Sequence, residues 1–229
     1  MTAIELVVLD MAGTTVLDGG LVEAAFAEAV AELGVAAGGA EHARMLDHVR
    51  ATMGESKISV FRTLTGGDED AAQRANAAFE RAYAELIGDG RCAPVPGAAE
   101  TIAALRDAGL KVALTTGFAR PTQDAILHAL GWAGIADLTL CPADAGRGRP
   151  YPDLVLTALL RLGATDVRNV AVAGDTAFDM LAARRAGASV AAGVLTGAHD
   201  RAALTEAGAT HVLASVADLP SLVLPGKVI

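Results

Sequence analysis

The chain has 229 residues, of which 52 % are hydrophobic and 20 % charged, a balance that excludes a disordered protein. Eighteen Lys and Arg against 27 Asp and Glu leave a net charge of −9, which opposes nucleic acid as a partner while leaving room for one local phosphate site. The length exceeds one ordinary domain and falls short of two, so one substantial core carrying an insertion is expected.

In chain order, the first strand is predicted over Ile4 to Leu9, an apolar run suited to burial on both faces. From about Val16 to Cys92 no strand candidate occurs. Val22 to Leu33, Glu41 to Thr52, Ser56 to Leu64 and Glu69 to Ile87 all carry helical spacing instead. Pro94-Val95-Pro96-Gly97 then breaks any helix and marks a return to the core. Further strands are expected at Leu110 to Thr115, Leu138 to Leu140, Val170 to Ala173, Ser189 to Val194 and His211 to Leu213. Helices are expected at Gly97 to Ala108, Thr122 to Leu130, Asp153 to Leu162 and Ala177 to Ala186. The alternation is that of a doubly wound parallel α/β sheet, with residues 1–15 and 93–229 as the core and 16–92 as an inserted helical cap.

Cys92 and Cys141 stand far apart with no metal-ligand or redox spacing, which points to reduced thiols and the cytoplasm. The start, Met1-Thr2-Ala3-Ile4-Glu5, has no basic leader, and no stretch reaches the roughly 18 apolar residues of a membrane helix. Met45, Met53 and Phe61 read as cap core or pocket wall, Trp132 as packing, and Arg184-Arg185 as a solvated helix face.

In an open parallel sheet, ligands sit beyond the carboxyl ends of the strands. Four such ends are polar here: Asp10-Met11-Ala12-Gly13-Thr14-Thr15, Thr115-Thr116-Gly117, Gly148-Arg149-Pro150-Tyr151-Pro152 after the third strand, and Gly174-Asp175-Thr176-Ala177-Phe178-Asp179. Asp10 suits a nucleophile for phosphoryl transfer, with the amides around Ala12 and Gly13 free to approach a phosphate oxygen. Asp175 and Asp179 can join Asp10, and three crowded carboxylates require raised pKa values or a cation. All-oxygen ligands and no nearby histidine favour Mg²⁺ over zinc. Thr116 and Arg149 suit phosphoryl oxygens.

The set Asp10-x-Ala12-Gly13-Thr14, Thr116, Arg149 and Gly174-Asp175-x-x-x-Asp179 resembles the four motifs of the haloacid dehalogenase superfamily. More narrowly, Ala12, Arg149 and the segment Met53-Gly54-Glu55-Ser56-Lys57 resemble its phosphonatase (phosphonoacetaldehyde hydrolase) branch. The resemblance implies Mg²⁺ held by Asp10, the Ala12 carbonyl, Asp175 and Asp179, the last directly or through water; it also implies a Schiff-base lysine at Lys57, with Met53 and Gly117 at the substrate, and a homodimer formed through the cap. Chemistry agrees with it. Ala12 stands where the phosphatases carry the acid that protonates a leaving alkoxide, so another activation is needed. An iminium on Lys57 would accept the electrons of a breaking carbon–phosphorus bond. Two departures accompany the match: Val60 stands where that branch has histidine, and Phe118 where it has tyrosine. Phosphonoacetaldehyde and a related 2-oxoalkyl phosphonate therefore both stay open as substrates. A phosphomonoesterase and a non-catalytic phospho-acceptor domain are the rival readings.

Overall fold

The computed structural model describes residues 3–224; Met1, Thr2 and Lys227 lie outside the described residues. Strand β1 (Leu6–Asp10) is buried along its whole length and leads into four helices, α1 (Leu21–Glu32), α2 (Ala40–Ala51), α3 (Lys57–Leu64) and α4 (Glu69–Gly88). Then follow α5 (Ala98–Asp107), β2 (Lys111–Thr115), α6 (Arg120–Ala129), β3 (Leu138–Leu140), α7 (Pro142–Ala145) and α8 (Asp153–Leu162). The chain continues through β4 (Val170–Gly174), α9 (Ala177–Ala186), β5 (Val190–Val194), α10 (Arg201–Glu206), β6 (His211–Leu213) and α11 (Leu219–Val223). All six expected strands are present. They form one parallel sheet in the order β3-β2-β1-β4-β5-β6.

Side-chain alternation along β1 divides the interior. Val7 and Leu9 join a core with α5, α6 and α11, whereas Leu6 and Val8 join a second core with α8, α9 and α10. Both faces of the sheet are thus covered, the condition for near-continuous apolar strands. Helices α7, α10 and α11 were not expected, because four to six residues are too few to display a helical period. Helix α6 starts two residues before its expected boundary, since Pro121 is tolerated in a first turn.

The register decides where chemistry can gather. Asp10 lies beside Thr115, and Leu9 beside Ala173, so the ends of β1, β2 and β4 share one edge. The helices following β1 lie over that edge, where α1, α3 and α4 pack around an aromatic cluster of Phe26, Phe61, Phe79 and Tyr83 with Phe118. Phe79 of α4 sits at its centre, fully buried, with ring centroids 4.7 Å from Phe26 and 6.1 Å from Phe118. Phe118 follows β2, so this cluster also ties the insertion to the sheet. Truncating Phe79→Ala is expected to cost about 3–5 kcal/mol. Urea denaturation checks this, and a loss below about 1 kcal/mol would show that the cluster does not hold the two parts together.

Candidate active site

Asp10 ends β1 at 4 % exposure, and its Oδ1 lies 2.6 Å from Nη1 of Arg149, itself only 6 % exposed. The same guanidinium nitrogen bonds Oδ1 of Asp179. The other oxygen of Asp179 accepts from the hydroxyl of Thr176 at 2.6 Å and from its amide at 3.1 Å, closing a capping box at the start of α9. Asp179 is therefore both the first-turn charge of a helix and a member of the acidic group. Asp175 accepts from the Thr14 hydroxyl at 3.2 Å and the Ala198 amide at 2.7 Å. One oxygen from each of Asp10, Asp175 and Asp179 lies within 4.8 Å of the others, and all three residues are buried.

Burial first, and then the two neighbouring carboxylates, push Asp10 well above the usual carboxylate range, with Arg149 acting against the shift. Burial and Asp179 raise Asp175 to about 6. For Arg149, burial opposes the charge, but Asp10 and Asp179 outweigh it and hold the guanidinium cationic. Its Nε is buried with no hydrogen-bond partner. Thr116 also reaches this edge, where its hydroxyl accepts from the Phe118 amide at 3.2 Å.

Lys57, the first residue of α3, comes down from the insertion at 5 % exposure, its amide 3.3 Å from the Gly117 carbonyl. Its Nζ lies 5.4 Å from the ring centre of Phe118 and 5.7 Å from that of Phe26. Desolvation, then repulsion from Arg149, lowers its pKa to about 8 against the pull of Asp18, Asp10 and Asp175. Both rings face the amine, and Met53 lines the same cavity.

The loop carrying Lys57 lies hard on the sheet edge. A Cβ on Gly117 would stand 2.6 Å from the Glu55 carbonyl oxygen, so only a residue without a side chain permits the approach. Between loop and edge lies a cavity of about 420 Å³. Asp10, Ala12, Met53, Lys57, Thr116, Gly117, Arg149 and Asp175 line it; Gly13 and Asp179 do not. The Gly13 amide was expected to be free for a phosphate, and it is not: it donates to the Val16 carbonyl at 2.7 Å. The cause is local, because the Met11 carbonyl collects the amides of Thr14, Thr15 and Val16 and curls the loop back on itself. Gly13 lies instead against the Asp175 carboxylate.

Several wall residues had no assigned part in the sequence reading. Thr196-Gly197-Ala198 follows β5, so the strand-end rule that found the others also reaches them. Asp18 lies just before α1, its Oδ1 accepting from the Val22 amide at 3.1 Å. Arg50 and Glu23 meet at the mouth as a two-pronged pair, 2.9 and 3.1 Å, across 27 residues of sequence that carry no pairing signal.

The family model for haloacid dehalogenase-like hydrolases matches residues 4–187. The chain belongs to this family. Phosphonoacetaldehyde hydrolase of Bacillus cereus is 34 % identical over 197 residues, covering 80 % of this hydrolase and 73 % of that protein. A solved hydrolase from Pseudomonas syringae superposes with a TM-score of 0.83 at 26 % identity, covering 97 % of this chain and all of that one. A phosphonoacetaldehyde hydrolase-like protein from Oleispira antarctica gives 0.82 at 24 % identity over 97 % and 92 % of the two chains, a likeness of fold. Membership in a hydrolase family removes the non-catalytic phospho-acceptor reading. No helix among the described residues is long and apolar enough to cross a membrane.

The depressed lysine can be measured directly. NMR titration of ¹³C-labelled lysine is expected to give Lys57 a midpoint near 8, against an ordinary value of 10.5. Between those values the unfolded chain binds more protons than the native one. The Lys57 contribution to stability therefore rises with pH across that window, and the penalty for the buried ammonium is complete below it. A midpoint above about 10 would mean that the amine is solvated.

Proposed function

We propose that this hydrolase cleaves the carbon–phosphorus bond of a 2-oxoalkyl phosphonate such as phosphonoacetaldehyde, with residues 16–92 acting as the cap that delivers Lys57. The observation that carries the reading is a deprotonatable amine and a nucleophilic carboxylate on one small cavity wall, with Ala12 where an acid would serve an ester. The 34 % identity to phosphonoacetaldehyde hydrolase supports it.

The acidic group fits a divalent cation. Three buried carboxylates against one guanidinium would leave two negative charges uncompensated if all were ionised, and the upward shifts of Asp10 and Asp175 register that excess. All donors are hard oxygens, which favours Mg²⁺. Asp10, the Ala12 carbonyl and Asp175 would hold it, with Asp179, whose oxygens serve Thr176 and Arg149, reached directly or through water. When bound, the ion would neutralise charge on Asp10 and on the phosphoryl oxygens.

The protein's own groups supply the rest. A pKa near 8 leaves about one Lys57 amine in ten neutral at pH 7, about three hundredfold more than at 10.5. That amine condenses with the substrate carbonyl, releasing water and forming an iminium. Arg149 and Thr116 hold the phosphonyl oxygens while Asp10 attacks phosphorus. The carbon–phosphorus electron pair moves to the iminium, giving an enamine and an aspartyl phosphate. Water hydrolyses the acyl phosphate, and protonation followed by hydrolysis of the enamine frees Lys57.

Inorganic phosphate release from a panel of phosphonates and phosphate esters, with and without Mg²⁺, tests this on wild type and Lys57→Ala. Wild type with Mg²⁺ is expected to act on the 2-oxoalkyl phosphonate, and Lys57→Ala to lose at least about a thousandfold in kcat/KM on it. Full activity in Lys57→Ala, or turnover confined to esters, would return the site to the phosphomonoesterase reading.

A further inference from the structure

Arg149 pairs with Asp10 and Asp179, whereas neutral donors hold Asp175. Its Oδ1 accepts from the Thr14 hydroxyl at 3.2 Å and its Oδ2 from the Ala198 amide at 2.7 Å. A side chain on Gly13 or Gly197 would run into the same carboxylate, so backbone closes both of its flanks. Much of this grip comes from the stretch Thr196 to His199, which follows β5.

The main chain around Asp175 is held by that stretch as well. The His199 amide donates to the Asp175 carbonyl at 3.2 Å, and the ring Nδ1 of His199 accepts from the Ala177 amide at 2.8 Å. One residue thus grips the chain on both sides of Thr176. As an acceptor, Nδ1 bears no proton, and the ring hydrogen sits on Nε2. Ala177 opens α9, where amides have no partner within the helix. The capping box of Thr176 and Asp179 serves the amides of those two residues, while the Ala177 amide is served from 22 positions further along the chain. The Thr196 hydroxyl also donates to the Gly13 carbonyl at 2.6 Å, so the stretch touches the loop that carries Ala12.

We infer that His199 is a positioning residue for the divalent cation site: by accepting the Ala177 amide it fixes the turn that aims Asp175 and Asp179 at one point. The inference rests on the cation reading above and adds to it a residue that does not line the cavity.

The demand for a fixed turn comes from the ion. Mg²⁺ takes near-octahedral oxygens at about 2.0–2.1 Å and tolerates little spread in their positions. Asp175 and Asp179 lie on opposite sides of the strand-to-helix turn, so a rotation at Thr176 would part their carboxylates while leaving β4 and α9 intact. The capping box is internal to the turn and would move with it. His199 ties the turn to the end of β5, which the sheet holds beside β4.

A role confined to capping α9 predicts a different result. His199→Ala would then lower stability equally with and without Mg²⁺, and the affinity for the ion would stand.

The test measures Mg²⁺ binding to the intact protein by isothermal titration calorimetry, without substrate, in wild type, His199→Ala, His199→Leu and His199→Asn. Urea midpoints are taken on the metal-free proteins. His199→Ala and His199→Leu are expected to bind Mg²⁺ about tenfold more weakly. His199→Asn, whose Oδ1 can accept in place of Nδ1, is expected to recover most of the affinity. Phosphate release should follow the same order, with more Mg²⁺ needed for half-maximal rate and kcat at saturating Mg²⁺ little changed. Wild-type Mg²⁺ affinity in His199→Ala overturns the inference and leaves the cation reading standing. Equal weakening in His199→Asn and His199→Ala also overturns it, because the acceptor would then not be what matters. No Mg²⁺ binding in wild type overturns both. Should His199→Ala not fold, His199→Leu, which fills the space without an acceptor, decides by the same criteria.

Discussion

A lysine buried beside an arginine must lose its proton or find anions, and the arrangement of this site follows from how that conflict is met. Desolvation against Phe26 and Phe118 and repulsion from Arg149 push the Lys57 amine toward neutrality, while Asp18, Asp10 and Asp175 pull it back. Neither side wins outright, so the amine titrates close to neutral pH. A fully solvated lysine would be too protonated to attack a carbonyl, and one buried among hydrocarbon alone would have no anions to stabilise the iminium proposed above.

The fold creates that balance by bringing together groups distant in sequence. The sheet delivers Asp10, Thr116 and Asp175 to one edge because β1 lies between β2 and β4 in parallel register. The insertion delivers Lys57 from the start of α3 and Asp18 from the segment before α1, and the aromatic cluster that packs its helices also supplies the rings that dry the amine. Packing and pKa tuning are thus carried by the same residues. Phe118 belongs to the sheet side of this contact and Phe26 to the insertion, so the amine's environment exists while the two are closed upon each other. At Gly117 the backbones of the two parts come close enough that a Cβ there would stand 2.6 Å from the Glu55 carbonyl oxygen.

Much of this was legible in the sequence, for reasons specific to each element. The strands were readable because burial on both faces makes them short apolar runs without alternation, and the strand-end rule then pointed to Asp10, Thr116 and Asp175. Arg149 stood out through the order of the strand-end motifs, and Lys57 through the segment Met53-Gly54-Glu55-Ser56-Lys57. The Gly13 amide was misread because a backbone bond to Val16 has no side-chain signature. The Glu23–Arg50 pair was invisible, since it depends on how α1 and α2 cross. The rings against Lys57 were missed for a related reason: Phe26 and Phe118 lie on either side of it in sequence, tens of residues away, and only tertiary packing brings them to the amine.

The central claim is that amine and carboxylate act on the same molecule. The most direct measurement is a crystal structure of the Asp10→Asn variant after borohydride reduction in the presence of phosphonoacetaldehyde, with the cleaving nucleophile disabled so that the phosphonyl group is retained. The account predicts continuous density from Lys57 Nζ to a substrate whose phosphorus lies between residue 10 and Arg149. An unmodified Lys57, or an adduct whose phosphonyl group points out through the mouth past Arg50, would contradict it.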